Sequence, residues 1–165
     1  MDGMCDILKE IYKRTNHEDF DYRKKEDRIA LQKTVYLLMN MGISVGNYSF
    51  EWGKYGPYSV TLDADAFKYN DREIQEEVLF SDIALEKMEA IVQYIKEGYE
   101  KYNNYTRTEW LECIASLHYL KYILRIDKSE TKLLPELQRR KSYLGNYDAN
   151  TRALEIADEI ENIYQ

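Results

Sequence analysis

The chain has 165 residues, a net charge of −7 and two cysteines. A chain of this length fits one domain, here residues 1–165, and buries enough surface to fold without a disulfide or a metal. The acidic balance argues against DNA as a partner, because proteins that bind DNA broadly are basic. No apolar run is long enough to cross a membrane. Two free thiols and the lack of a signal-peptide pattern indicate a cytoplasmic protein.

Helical spacing of apolar residues organises the first part of the chain. A short amphipathic helix is predicted over 2–14 as an added N-terminal element, and a longer one over 22–41, closed by Gly42. A third helix follows the turn near residue 57 and carries Tyr58, Leu62, Ala66 and Tyr69 on one side. These segments predict a mainly helical N-terminal half.

The segment 48–59 is the one place where Gly, Pro and aromatic residues crowd together. Alternation of Tyr48, Phe50 and Trp52 is typical of a half-buried strand. The chain then has to turn at its glycines, and Pro57 fits the first turn of the next helix. A second short strand, 74–80, is predicted to pair with the first.

The second half also reads as helical. Ser81 is a predicted N-cap for a helix that ends near residue 102, and the pattern at 106–109 is a capping box opening a central helix over 110–124. A cap at 127–130 precedes a helix that Pro135 shortens or kinks. The last helix has an apolar stripe that either closes the domain or pairs two subunits, so we expect a homodimer. The prediction is a mainly α (α+β) fold: one domain of about six helices with a small two-stranded β insert.

Two residues inside these helices have both a structural and a functional interpretation. Lys33 lies near the apolar half of its helix; it either extends its amine to solvent along a packed stem or directs a cation at an anionic ligand. His118 lies on the central helix, where a lone histidine is usually bonded to a backbone or tyrosine oxygen. In the functional interpretation His118 lines a ligand pocket.

The common catalytic constellations are missing from the sequence. There is no phosphate-binding glycine loop, no GxSxG elbow and no HExxH or paired Cys/His metal spacing. Cys113 and His118 fall on different helix faces, and Glu109 and Glu112 are interpreted as capping and surface groups. We therefore expect no enzyme, no metal and no cofactor, with a hydrolase of unrecognised site as the third alternative.

Binding has better support, because Trp52, Tyr55 and Tyr58 cluster around a glycine-containing turn. Aromatic rings there suit stacking on a planar ligand or anchoring a protein interface, and Lys33 would add charge recognition. The structural alternative is that these rings only cover the small sheet.

Four segments carry a resemblance: LQKTVYLL (31–38), YSFEW (48–52), YGPYS (55–59) and LECIASLHYL (111–120). Together they resemble the Panacea domain and the related short bacterial proteins of YwgA type, over roughly residues 25–160. The resemblance implies a mostly helical domain with a small β insert. It also implies a setting of bacteria and phages, in which Panacea domains are antitoxins that neutralise toxins by binding. The chain departs from the pattern in its charged N-terminal helix and its tyrosine-rich C-terminal third.

The sequence therefore favours a non-enzymatic, antitoxin-like protein that neutralises a bacterial toxin or defence protein by forming a complex with it. The alternative is a phage anti-defence protein that sequesters a nucleotide-derived signalling molecule in an aromatic pocket. The resemblance points to seven candidate residues, and His118 joins them as a pocket residue: Lys33, Tyr36, Trp52, Tyr55, Gly56, Pro57, Tyr58 and His118.

Overall fold

A computed structural model describes residues 3–126 and 129–162. Within them the chain forms seven α-helices and one β-hairpin, which confirms a mainly helical fold with a small β insert and gives one helix more than the six expected. The helices are α1 (Met4–Asn16), α2 (Lys25–Asn40), α3 (Val60–Tyr69), α4 (Asp82–Lys101), α5 (Arg107–His118), α6 (Glu130–Arg140) and α7 (Tyr147–Asn162). The strands are β1 (Glu51–Gly53) and β2 (Gly56–Tyr58).

Helix α5 is the centre of the molecule, as its all-round apolar pattern predicts. Every side chain from Trp110 to His118 is buried, and the helix packs against α2, α4, α6, α7 and β2. The predicted capping box opens it: Glu109 N donates to Thr106 Oγ1 over 3.2 Å, and Thr106 N donates to the Glu109 carboxylate over 2.9 Å. Beyond His118 the helix continues as a π-helical turn, Tyr119–Ile123.

The hairpin differs from the predicted sheet. β2 pairs antiparallel with β1, so that Trp52 lies opposite Pro57 and Gly53 opposite Gly56. The prediction that 74–80 pairs with the first strand is wrong: the backbone N–H groups of Gln75 and Glu76 instead donate to the buried Asp6 carboxylate, over 3.0 and 3.2 Å.

Pro57 was expected in the first turn of a helix and lies instead in β2. Helix α3 begins only at Val60, because the Ser59 hydroxyl accepts a hydrogen bond from Leu62 N over 3.2 Å and caps the helix there. Ser59 separates β2 from α3, so Pro57 belongs to the strand and not to the helix.

Helix α7 closes the domain. Its apolar stripe, including Ala153, Ile156 and Ile160, is buried against the rest of the chain, and α5 is its principal neighbour. The stripe therefore no longer supports the expected homodimer. Ser129 precedes α6, which contains Pro135; the predicted cap residue Asp127 and the last predicted stripe residue, Ile163, lie outside the described residues. None of the helices in the described ranges is both long and apolar enough to cross a membrane.

Candidate functional site

The hairpin touches α5 at a glycine that no other residue could replace without strain. Gly56 has φ +91°, a conformation that L-residues rarely adopt. A Cβ at Gly56 would lie 2.5 Å from the Ser116 hydroxyl oxygen of α5. Both the backbone angle and the close approach therefore require glycine at the first residue of β2, directly after the turn.

Two side chains of α2 hold the other side of the hairpin. The Lys33 amine donates to the Pro57 carbonyl over 2.7 Å. Gln32 makes two bonds to Ser59: its amide nitrogen donates to the Ser59 carbonyl over 2.9 Å, and its oxygen accepts from Ser59 N over 2.8 Å. Lys33 is 1% exposed, so it does not extend to solvent. Burial lowers the pKa of Lys33 to about 7.

Two further buried side chains, Lys141 and Glu112, support the hairpin. Lys141 Nζ donates to the Gly53 carbonyl over 3.0 Å and also to the Lys54 carbonyl, and it lies 3.6 Å from the Glu112 carboxylate. The Tyr143 hydroxyl donates to the same carboxylate. Burial raises the pKa of Glu112 and lowers the pKa of Lys141. The interpretation of Glu112 as a surface group is therefore wrong, because its side chain faces these buried partners.

A solvent-open cavity of about 550 Å³ lies between the hairpin and α2, and we call it the basic cleft. This volume lies in the range of small-molecule sites. Four lining side chains are basic: one, Lys33, is buried, and the other three are exposed or half-buried. Three more are tyrosines, and Asp63 is the one carboxylate among the lining residues. The lining comprises Tyr22, Lys25, Arg28, Ile29, Gln32, Lys33, Gly53, Lys54, Tyr55, Tyr58 and Asp63.

Tyr55, at the hairpin turn, has two lysine amines close to its ring. The Lys25 amine lies 4.6 Å and the Lys54 amine 5.5 Å from the centroid of its ring, in the range of cation–π attraction. A hydrogen bond from Lys25 lowers the pKa of the Tyr55 hydroxyl. Lys25 and Lys54 thus lie beside an aromatic ring that is only half buried.

The other wall of the cleft is held by Tyr22. Its hydroxyl donates to the Asp63 carboxylate over 3.1 Å, and its carbonyl accepts a hydrogen bond from Arg28 Nη1 over 2.6 Å. The Arg28 guanidinium also lies 5.1 Å from the Tyr22 ring centroid. These contacts fix the direction of Arg28 and engage the cleft's carboxylate in a hydrogen bond.

The eight predicted site residues separate into two groups. Lys33, Tyr55 and Tyr58 line the basic cleft, and Gly56 and Pro57 build the hairpin that shapes it. The remaining three, Tyr36, Trp52 and His118, do not line it. Trp52 packs its ring near the Lys141 amine, 4.8 Å from the centroid, and near the Tyr119 ring at 5.9 Å.

Tyr36 and His118 belong to the core. The Tyr36 hydroxyl and His118 Nδ1 are 2.7 Å apart, and His118 Nε2 lies 2.9 Å from a Glu161 oxygen. Burial lowers the pKa of His118. His118 is therefore a buried core histidine bonded to a tyrosine oxygen, which is the structural interpretation given above.

Sequence reasoning missed most of the cations in the cleft. Of the four basic side chains that line it, the sequence analysis singles out Lys33 alone. One signal was available: Lys25, Arg28 and Gln32 follow each other at spacings of three and four, which places them on one face of α2. That Lys54 faces them depends on the hairpin, which local patterns did not predict.

No family model, no curated protein and no solved structure matches this chain. The resemblance to the Panacea domain therefore stays a prediction.

Proposed function

We propose that this chain is a non-enzymatic binding protein that captures an anionic, planar ligand of nucleotide type in the basic cleft. One observation carries the proposal: Lys25, Arg28 and Lys54 converge with three tyrosines on one cavity, in a chain whose net charge is −7. Cations in a concave, partly apolar site attract and hold phosphate oxygens, while tyrosine rings stack on a base.

The lining suits retention of the ligand. It supplies hydrogen-bond donors and rings, and Asp63 already accepts a hydrogen bond from Tyr22. In the bacterial or phage setting that the resemblance implies, such a protein would act by sequestering a nucleotide-derived signal.

Neutralisation of a toxin or defence protein is the second candidate, and helix α3 favours it. Val60, Ala64 and Phe67 form an exposed apolar stripe at helical spacing, with Val60 72% and Phe67 68% exposed. The Phe67 ring contacts the Tyr22 ring, with centroids 5.3 Å apart, so the stripe borders the basic cleft. A protein partner seated on α3 would cover the cleft as well.

A thermal-shift panel of nucleotides and cyclic nucleotides tests the leading proposal. A ligand at 100 times its Kd stabilises the fold by about 2.7 kcal/mol and raises the Tm. Replacing both cations in Lys25→Gln/Lys54→Gln should weaken binding by roughly tenfold or more, since each bond to a charged group contributes strongly. Lys96→Gln/Lys101→Gln makes the same charge change on α4 and should leave binding unaltered.

Absence of any Tm shift across the panel would overturn the proposal, as would equal loss of binding in the two double variants. Recovery of a chemically altered ligand after incubation would show that the protein is an enzyme and not only a binding protein. For the second candidate, Val60→Asn should reduce co-purification with a protein partner while nucleotide binding persists, because Val60 is exposed on α3 and does not line the basic cleft.

A further inference from the structure

A second cavity, of about 360 Å³, lies next to the basic cleft and shares Lys25, Ile29 and Tyr55 with it. These shared residues form the wall between the two spaces. We call the second space the acidic cavity. Its other lining residues come from the first turn of α2, from the start of α5 and from the segment before α7: Glu26, Thr106, Thr108, Glu109, Glu112 and Tyr143.

The two spaces have opposite charge. Four basic side chains and the single carboxylate Asp63 line the basic cleft. The acidic cavity is lined by the carboxylates of Glu26, Glu109 and Glu112, and Lys25 is the one basic side chain among its lining residues. The change of sign occurs across Tyr55, whose half-buried ring borders both. A ligand lying across this ring would meet donors on one side and acceptors on the other.

The acidic cavity presents polar groups in defined positions. One Glu109 oxygen accepts from Thr106 N in the capping box, which fixes the carboxylate. The Glu112 carboxylate accepts from the Tyr143 hydroxyl. The Thr106 and Thr108 hydroxyls lie 3.2 Å apart. The cavity therefore offers carboxylate and hydroxyl oxygens to the hydrogen-bond donors of a ligand.

The geometry points to a ligand that spans both spaces: a nucleotide whose phosphate lies in the basic cleft and whose amino-bearing base and ribose hydroxyls lie across Tyr55 in the acidic cavity. An exocyclic amine and ribose hydroxyls donate to carboxylates, and the phosphate oxygens accept from Lys25, Arg28 and Lys54. This inference deepens the proposed function and rests on it.

Titration calorimetry of the full chain with three probes tests the inference: inorganic phosphate, adenosine 5′-monophosphate, and purine riboside 5′-monophosphate, which lacks only the amino group. We expect the adenosine nucleotide to bind roughly tenfold more tightly than the analogue without the amine, the effect of one hydrogen bond to a charged acceptor. Phosphate alone should bind more weakly than either nucleotide.

Glu26→Gln/Glu109→Gln is the matched variant, because glutamine also serves in a capping box and preserves the start of α5. It should reduce the preference for the amino group about fivefold, since a bond to a neutral acceptor is weaker. Its affinity for inorganic phosphate should not fall.

Equal affinity of the wild type for the two nucleotides would overturn this inference and leave capture of an anion intact. An unchanged preference for adenosine 5′-monophosphate in Glu26→Gln/Glu109→Gln would also overturn the inference and leave capture of an anion intact. Failure of the wild type to bind phosphate or either nucleotide would overturn the proposed function together with the inference.

Discussion

Gly56 shows how one residue determines the position of the site. Its positive φ and its close approach to Ser116 both exclude a side chain. We expect Gly56→Ala to lower the free energy of unfolding by about 3 kcal/mol, combining left-handed strain with overpacking against α5. Urea denaturation monitored by circular dichroism measures this loss.

The partner of Gly56 provides the control. The Ser116 hydroxyl is buried and makes no hydrogen bond within the described residues, so Ser116→Ala alone should change stability little. In the Gly56→Ala background the same change removes the clashing oxygen and should restore part of the loss. A Gly56→Ala protein as stable as the wild type would show that the hairpin does not depend on this contact.

Lys33 makes stability depend on pH in a defined direction. Its pKa falls from 10.5 in the unfolded chain to about 7 in the folded chain. Between these values the unfolded state holds a proton that the folded state has released, so the free energy of unfolding rises with pH. Relative to Lys33→Met, the wild type should gain roughly 1 kcal/mol per pH unit from pH 7 upward.

Urea denaturation of both proteins at pH 7, 8 and 9 measures this slope. A difference between the two proteins that stays constant with pH would mean that Lys33 keeps its proton in the folded chain.

At the scale of elements, the hairpin is held by buried charges and not by a larger sheet. Lys141 binds the turn carbonyls and approaches Glu112, and removing one partner of such a buried pair typically costs about 3–5 kcal/mol. Lys141→Met and Glu112→Gln should each destabilise the protein, and the double variant should lose less than the sum of the two. A double-mutant cycle in urea measures the coupling; strict additivity would contradict it.

The helices were predictable and the hairpin was predictable only in part. Helical spacing and the capping box at Thr106 indicate segments that depend mostly on local sequence. β2, in contrast, is three residues long and contains Gly56 and Pro57, which are poor strand formers. It is held by Lys33, which binds the Pro57 carbonyl, and by Gln32, which binds the Ser59 backbone. These contacts come from a distant helix, and local patterns contain no such information.

The candidate site shows the same limit. Tyr55 and Tyr58 stand out in the sequence because aromatic residues crowd around a turn. The charge on Glu112 gives no sign that its side chain is buried, and the pairing of Lys25 with Lys54 around Tyr55 requires the hairpin to face α2. Tertiary contacts assemble the other cations, so the sequence indicates the rings and Lys33 but not Lys25, Arg28 or Lys54.

At the scale of the whole molecule, the basic cleft is a positively charged region on a protein whose net charge is negative. The net charge of −7 repels anions at long range, whereas the cleft attracts them at short range. Because this attraction is between partly exposed charges, nucleotide affinity should fall as ionic strength rises from 0.05 to 0.5 M. Titration calorimetry across that range measures the effect, and affinity that is independent of salt would contradict a cationic site.

The most direct test is a ¹H–¹⁵N spectrum of the full chain titrated with adenosine 5′-monophosphate. If the basic cleft holds the ligand, the largest shift changes will fall on the backbone amides of Lys25, Arg28, Lys54, Tyr55 and Tyr58. Shift changes confined to α4 or α7, or a spectrum that does not change at saturating nucleotide, would contradict the account.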